Sequence, residues 1–346
     1  MRRSLIIFLV VNLAVVGFLL NSVWTLLSLL VVDGSADAIS RAELPAPGSE
    51  KIDERPVLIP KIIHQTYINE SIPAVWREGQ RSCIDLHADY EYKLWTDKKA
   101  RDFIAAEYPW FLETFDGYEF AIQRADAIRY FVLAHFGGIY IDLDDACQRR
   151  LDPLLSYPAW LRRTVPTGIS NDAMGSVPGH PFFLRVIDSL PNYDKSWILP
   201  YISVMGSTGP LFLSVIWRHY NSERDSDADE MGRIRVLFPD EYGGKAWSFF
   251  RKTVGNSWHQ KDVSFILWVC HTKSLLFELS LLTLNRRWHA TGSSSPSPAS
   301  LLPVWSSLFS GGRTACSSAR AVARRNRCSD GASPHSGHLV PSEITN

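Results

Sequence analysis

The hydrophobic pattern of the chain opens with one long apolar segment. Residues 5–32 are apolar apart from Asn12, Asn21 and a few Ser, Thr and Gly. That is longer than the roughly 20 residues needed to cross a bilayer, and longer than the apolar region of a signal peptide, about 7–15 residues. Two arginines precede the segment and an aspartate follows it, which leaves the N-terminus in the cytoplasm. We therefore predict an uncleaved transmembrane anchor within residues 1–33 and a lumenal chain beyond it.

After the anchor, residues 34–56 have the Ala-, Glu-, Ser- and Pro-containing composition of a stem. From residue 57 onward, apolar stretches typical of buried strands alternate with stretches of helical periodicity. This alternation predicts a parallel sheet in an α/β domain, whose ligands gather at the carboxyl ends of the strands. The predicted strands are residues 57–64, 90–95 and 139–143; the predicted helices are residues 73–85, a helix capped by Thr96 or Asp97 that runs to residue 108, and residues 119–136.

The C-terminal part of the chain changes in character. Residues 265–290 are hydrophobic enough for a second membrane-associated segment, but His271, Lys273 and Glu278 interrupt it. Because a charge near the middle of a bilayer costs about 2.5–3.5 kcal/mol on insertion scales, these residues argue against a true second span. Residues 291–346 are rich in Ser, Pro, Gly and Arg without periodicity, so we expect a disordered tail.

Composition narrows the functional classes. Lys and Arg number 36, and Asp and Glu also number 36, so the net charge is zero; no overall positive field favours nucleic acid. The 12 Trp and 12 Tyr suit sugar faces as well as protein cores. The five Cys show no zinc-ligand spacing, and their odd number excludes complete internal pairing. The sequence leaves their redox state open.

Two carboxylates end the last predicted strand of the region. Residues 137–144 read Gly-Gly-Ile-Tyr-Ile-Asp-Leu-Asp, and alternation along a strand places Tyr140, Asp142 and Asp144 on one face. Hard carboxylate oxygens select Mg²⁺ or Mn²⁺, which also binds diphosphate oxygens and neutralises charge on a departing nucleotide. The alternative is a solvated acidic turn, since Asp145 is adjacent.

The preceding predicted helix favours the metal-binding interpretation. Its apolar arc contains Asp126 and Arg129 or lies directly beside them. A buried Asp and a buried Arg are costly unless they are paired or used. Their spacing allows a purely structural ion pair. Because helix, turn and carboxylates follow without a gap, we favour a site in which this pair lies near sugar hydroxyls and Asp142.

These motifs together resemble a known family. Residues 123–130 and the Gly-Gly-x-Tyr-x-Asp-x-Asp motif at residues 137–144 are similar to the sugar-binding region of glycosyltransferase family 32. The resemblance covers about residues 57–268, after which the sequence departs from the family's pattern. Residues 59–66 and 94–97 resemble the first two strands of that family, and residues 169–174, 179–183 and 255–259 fit its fungal mannosyl inositol phosphorylceramide synthases.

The resemblance implies a GT-A-type, Rossmann-like nucleotide-sugar-binding fold, a GDP-mannose donor and retention of anomeric configuration. It also implies inositol phosphorylceramide as acceptor, Mn²⁺ or Mg²⁺ as cofactor, a Golgi membrane location, and room for a membrane-embedded regulatory subunit. Asp142 and Asp144 would bind the metal. His259 is the candidate third ligand, because an imidazole binds Mn²⁺ well, and the alternative is a surface histidine beside Trp258. The expected catalytic residues are Asp126, Arg129, Asp142 and Asp144, and the expected donor-binding residues are His64, Gln65, Asp126, Arg129, Tyr130, Gly138, Asp142, Asn171 and Asp172. Simple packing is the alternative for His64 and Gln65, and contact with the acceptor is the alternative for Asn171 and Asp172.

Two other functions stay open at this point. One is a related Golgi α-mannosyl- or galactosyltransferase that acts on protein-linked glycans. The other is a non-catalytic membrane scaffold or lectin with the same fold. The intact Asp-x-Asp motif and the Asp126–Arg129 pair argue against the second alternative, and metal-dependent binding of GDP would separate it from an enzyme.

Overall fold

The structure is a computed structural model, and the residues it describes fall within the unit Met1–Phe265. The predicted segment 265–290, the predicted tail 291–346 and His259 lie outside the described residues. The described residues are 2–29, 31–32, 34–46, 54–164, 167–224, 230–238, 245 and 247–252.

Helices and strands alternate through the first half of the described chain and become less regular after residue 163. The helices are α1 (Arg2–Leu29), α2 (Ala74–Leu86), α3 (Asp97–Glu107), α4 (Leu112–Gly117), α5 (Ala121–Phe136), α6 (Pro181–Tyr193), α7 (Pro200–Ser207) and α8 (Pro210–Glu223). The strands are β1 (Ile62–Tyr67), β2 (Glu91–Thr96), β3 (Gly138–Ile141), β4 (Asp145–Cys147), β5 (Ala159–Arg163), β6 (Ile169–Ser176), β7 (Ile234–Leu237) and β8 (Phe250–Lys252).

The central sheet is mixed rather than wholly parallel. Its strand order is β2-β1-β3-β6-β5-β7. β1 is parallel to both β2 and β3, and β5 is parallel to β7, whereas β6 runs antiparallel to both β3 and β5. The prediction of a parallel sheet is therefore wrong for β6. Only residues 164–168 join β5 to β6, and so short a connection can join antiparallel strands but not parallel ones.

Local sequence signals account for where α3 begins and where α5 ends. The Thr96 hydroxyl accepts a hydrogen bond from the Lys99 backbone N–H at 3.3 Å and caps α3, so Thr96 is the cap of the two residues predicted. α5 ends at Phe136, because Gly137 and Gly138 have φ of 66° and 91°, a region that favours glycine. A Cβ at Gly137 would lie 2.7 Å from Pro178. The two glycines thus let the chain turn directly from α5 into β3.

The strand that carries the acidic motif is shorter than predicted. β3 ends at Ile141, and the backbone N–H of Asp145 donates to the carbonyl of Asp142 at 3.0 Å, which closes a turn. The expected alternation of side chains therefore stops at Ile141. Leu143, expected on the opposite face from Asp142 and Asp144, lies beside both of them in the lining of a cavity at the carboxyl edge of the sheet.

Part of the segment before residue 57 packs beside β7, the last strand in the sheet order. Residues 34–46, within the predicted stem, run beside β7, where the Ile39 N–H donates to the Val236 carbonyl at 2.9 Å. Glu43 pairs with Arg235 at 2.9 Å. Before it, Leu29 at the end of α1 is buried. In the described part of the chain, no helix meets the combined conditions of length and hydropathy for a membrane span.

A disulfide joins Cys83 of α2 to Cys147 of β4, with their Cα atoms 4.8 Å apart. It answers the redox question for these two cysteines. β4 follows the acidic turn directly, so the disulfide ties the back of that turn to α2.

Candidate active site

A cavity of about 570 Å³ opens at the carboxyl ends of β1, β2 and β3. Asp142 lies at its wall because it follows β3 directly, and Thr66 and Thr96 reach it from the ends of β1 and β2. This is the sheet edge where the alternation of strands and helices predicts a ligand. Six of the predicted site residues line the cavity together: Asp126, Arg129, Asp142, Asp144, Asn171 and Asp172.

Arg129 is the centre of a buried polar cluster. Its guanidinium pairs with Asp126 at 2.9 Å and with Asp142 at 3.3 Å. It also donates to the backbone carbonyls of Asn171 at 2.6 Å and Ala125 at 3.2 Å. Burial lowers the pKa of Arg129, but the negative charges around it outweigh burial and raise it overall. Arg129 therefore stays charged and joins α5, β6 and the acidic turn.

Asp126 accepts a hydrogen bond on each carboxylate oxygen. The Asn171 amide donates to Oδ1 at 3.0 Å, and the Thr208 hydroxyl donates to Oδ2 at 3.1 Å. Burial raises the pKa of Asp126 to about 6, although Arg129 opposes that shift. A carboxylate held on both oxygens is well suited to position its neighbours.

Asp142 is held on one oxygen only. The Tyr140 hydroxyl donates to Oδ1 at 2.7 Å, and Arg129 approaches the same oxygen. Tyr140 is in turn 3.0 Å from the Thr66 hydroxyl. Among the described residues, Oδ2 of Asp142 has no hydrogen-bond partner, and the side chain is 28% exposed. This arrangement leaves one carboxylate oxygen for a ligand in the cavity.

Asp144 belongs to a second group of charges. Lys252 of β8 lies 3.9 Å from Asp144 and 3.3 Å from Asp172. Behind them, the buried Arg162 pairs with Asp145 at 2.7 Å and approaches Asp172 at 3.4 Å. Burial raises the pKa of Asp145 above its ordinary value despite Arg162. Asp145 is fully buried, so the acidic turn is not simply solvated.

We call the two groups together the charge network. It consists of five carboxylates and three cations: Asp126, Asp142, Asp144, Asp145 and Asp172 with Arg129, Arg162 and Lys252. When all of them are ionised, two negative charges are left. One divalent cation would balance them, and carboxylate oxygens are its preferred ligands. Within the described ranges, no three His, Cys, Asp or Glu side chains are arranged to bind a metal. The residues present therefore fit a cation held by Asp142 and Asp144 whose remaining ligands come from elsewhere.

Other predicted site residues lie away from the cavity. The buried His64 accepts from the Trp95 indole at Nδ1, 3.0 Å, so its Nε2 donates to the Gly137 carbonyl, 2.9 Å. Burial lowers the pKa of His64 to about 4, and the ring is a neutral core residue. Gln65 is also buried and bonds Tyr92. Tyr130 donates to the Thr208 carbonyl. Gly138 is buried within β3. His259 lies outside the described residues.

Sequence reasoning missed three polar residues that the fold brings to the site. Thr208 contacts Asp126, Arg162 contacts Asp145, and Lys252 contacts Asp172. Each lies far along the chain from its partner and outside any motif. The one local signal available for Arg162 was an arginine directly after the apolar residues 159–161 of a strand.

Comparison with known proteins agrees with this geometry. Residues 73–160 match the family described as "Glycosyltransferase sugar-binding region containing DXD motif". That range contains Asp126, Arg129, Asp142 and Asp144, and it ends before Asn171.

Three curated relatives match most of the chain. The mannosyl phosphorylinositol ceramide synthase CSH1 of Saccharomyces cerevisiae is 52% identical over 269 residues, which cover 77% of this chain and 71% of the relative. The mannosyl phosphorylinositol ceramide synthase SUR1 of the same organism is 51% identical over 266 residues, which cover 77% of this chain and 68% of the relative. Inositol phosphoceramide mannosyltransferase 2 of Schizosaccharomyces pombe is 51% identical over 237 residues, which cover 67% of this chain and 68% of the relative.

An acidic Asp-x-Asp turn at the carboxyl edge of a mixed α/β sheet, within a matched sugar-binding region, places the protein among the glycosyltransferases. At about half identity over more than two thirds of the relatives, the chain belongs to the family of the mannosyl phosphorylinositol ceramide synthases and inositol phosphoceramide mannosyltransferases.

Proposed function

We propose that this protein transfers mannose from GDP-mannose to the inositol of inositol phosphorylceramide, with retention of anomeric configuration. The observation that carries the proposal is the cavity in which Asp126, Arg129, Asp142 and Asp144 meet. It occurs in a chain whose relatives are named for mannosyl transfer to that class of lipid. The cavity at the carboxyl edge of the sheet is also where a GT-A-type domain would bind its nucleotide sugar.

Asp142 and Asp144 would hold the divalent cation, Mn²⁺ or Mg²⁺. When bound, such a cation neutralises the charge that develops on the departing diphosphate. Tyr140 and Arg129 both engage Oδ1 of Asp142, so they would orient that carboxylate and leave its second oxygen to the metal. Burial raises the pKa of Asp144, and a bound cation would hold it ionised.

The arrangement of Asp126 supports a front-face reaction. Both of its carboxylate oxygens accept hydrogen bonds, from Asn171 and Thr208, and Arg129 pairs with one of them. A carboxylate engaged in this way is a weak nucleophile, because attack would break its hydrogen bonds. Asp126 would then position Asn171 and Arg129 at the wall of the cavity, while the leaving phosphate takes the proton of the acceptor hydroxyl.

The protein would work at a Golgi membrane with its catalytic domain in the lumen. α1 leaves large apolar side chains exposed, among them Phe8, Leu13, Phe18 and Trp24 at 62%, 71%, 70% and 66%. Faces of this kind suit an apolar surrounding. The Cys83–Cys147 disulfide also accords with an oxidising compartment.

The test is transfer of radiolabelled mannose from GDP-mannose to inositol phosphorylceramide by the solubilised full-length protein. Asp144→Asn keeps the shape of the side chain but removes its charge, and chelation removes the cation. Loss of a contribution of several kcal/mol to the barrier should lower the rate at least about a hundredfold in either case. Asp188→Asn, on the surface of α6, is the control and should keep full activity. Unchanged transfer by Asp144→Asn, or in the presence of chelator, would refute the proposal.

A further inference from the structure

The cations of the charge network differ in what they can offer to a substrate. Sugar-nucleotide diphosphates and phosphodiester lipids are anions, so their binding calls for N–H donors that face the cavity. The network contains Arg129, Arg162 and Lys252. Burial and existing contacts decide which of the three is free to donate.

Both arginines are buried and already pair with carboxylates of the protein. Arg129 is 4% exposed and donates to or pairs with Asp126, Asp142 and two backbone carbonyls. Arg162 is 1% exposed and lies behind the wall, between Asp145 and Asp172. A substrate phosphate could reach either guanidinium only if one of these buried pairs broke, which is costly. They serve to position the carboxylates.

Lys252 has a different environment. Its side chain is 50% exposed and lines the cavity together with Asp144 and Asp172. The backbone of β8 holds it in place, because Lys252 is the partner of Asp145 across the β4–β8 pair. Among the described residues, Asp172 is the one acceptor within hydrogen-bond distance of its ammonium, at 3.3 Å. An ammonium has three N–H donors, so others remain for a ligand.

We propose that Lys252 is a substrate-binding residue whose ammonium contacts a phosphate group in the cavity. The phosphate belongs either to the diphosphate of the sugar nucleotide or to the phosphodiester of the lipid acceptor. This inference rests on the proposed function and names the residue through which an anionic substrate is held.

The charges around Lys252 explain why it would be free to do this. In the absence of metal, its ammonium is attracted by both Asp144 and Asp172. A divalent cation at Asp142 and Asp144 would balance Asp144 and weaken that attraction. Asp172 then remains as the anchor that directs the ammonium, and the charge is available to phosphate.

The experiment measures binding and kinetics of Lys252→Met in the solubilised full-length protein. Calorimetric titration with GDP in the presence of Mn²⁺ measures binding of the donor nucleotide, which we call the donor arm of the experiment. The KM for inositol phosphorylceramide in mixed micelles measures binding of the acceptor, which we call the acceptor arm. Loss of one charge-assisted hydrogen bond should weaken the affected arm about ten- to a hundredfold. Weaker GDP binding assigns the donor diphosphate, and a raised acceptor KM with unchanged GDP binding assigns the acceptor.

Arg251→Met is the matched control, because Arg251 precedes Lys252 in β8, is similarly exposed and pairs with Glu78 instead. It should leave both arms unchanged. Lys252→Arg keeps the charge and should recover most of the lost affinity. If Lys252→Met does not fold, Lys252→Gln replaces it, since an amide can still bond Asp172.

The inference is overturned if GDP affinity and acceptor KM both stay within about twofold of wild type in the folded variant. Tighter Mn²⁺ binding with both arms unchanged would likewise overturn it, because Lys252 would then be a counter-ion of Asp144 alone. A wild-type protein that binds GDP with Mn²⁺ but transfers no mannose to the lipid would refute the proposed function instead. The GDP arm would still decide the role of Lys252.

Discussion

Arg129→Met offers the sharpest test of how the buried pair works. The substitution keeps the length and apolar contacts of the side chain but removes its charge. Asp126 at 2.9 Å and Asp142 at 3.3 Å lose their shared cation. Breaking a buried ion pair from one side costs about 3–5 kcal/mol. At about 2–4 °C per kcal/mol for a domain of this size, the melting temperature should fall by about 6–20 °C.

The loss should also depend on pH. Burial already raises the pKa of Asp126 to about 6, and Arg129 opposes that shift. Without Arg129, the carboxyl of Asp126 binds its proton still more tightly in the folded state. In acid, Asp126 is protonated in the folded wild type and in the folded variant, so the destabilisation by Arg129→Met is smallest there. It grows as the pH rises above the pKa of Asp126 in the folded wild type, about 6, because only the wild-type carboxylate then has a cation beside it. Scanning calorimetry of wild type and variant between pH 5 and 8 measures this difference.

A double variant separates stability from function. Asp126→Asn together with Arg129→Met removes both charges of the pair, so it should melt above the Arg129→Met single variant. If Arg129 also orients Asp142, GDP binding in the presence of Mn²⁺ should stay weak in the double variant, measured well below its melting temperature. Wild-type GDP affinity in a folded double variant would refute the functional interpretation and leave Arg129 a structural residue.

Three further predictions concern the fold and its topology. The pKa of His64 falls from 6.5 to about 4 on folding, so the unfolded chain binds more protons in that window. The free energy of unfolding should fall as the pH decreases through this window, by up to about 3 kcal/mol. The free energy of unfolding of His64→Gln, measured by chemical denaturation at each pH, should depend less on pH. Gly137→Ala should cost more than Gly179→Ala in melting experiments. Both have positive φ, which costs about 1–3 kcal/mol, but only Gly137 has atoms within 3 Å of the added Cβ, worth roughly another 1–3 kcal/mol; equal losses would contradict this. Protease added to sealed microsomes should spare residues 57–252, and their digestion without detergent would contradict a lumenal domain.

The sequence by itself determined the features that depend on neighbours along the chain. The cap at Thr96 and the end of α5 before Gly137 are as predicted. The acidic residues lie at the carboxyl end of β3 as predicted, but the strand stops at Ile141, before both of them. Each follows from a local cause: a side-chain acceptor for a free N–H, a backbone that needs positive φ, or the position of a strand end. The i, i+3 spacing likewise predicted that Asp126 and Arg129 could pair.

Only the tertiary structure decided which distant residues meet. Lys252 joins Asp144 because β8 pairs with β4, and Thr208 reaches Asp126 from the end of α7. His64 has the polar side chain of a site residue, yet it is buried, accepts a hydrogen bond from the Trp95 indole and donates one to the Gly137 carbonyl. Strand pairing and helix packing depend on contacts between residues far apart in the chain. Periodicity and motifs describe neighbours only, so they could not identify these partners.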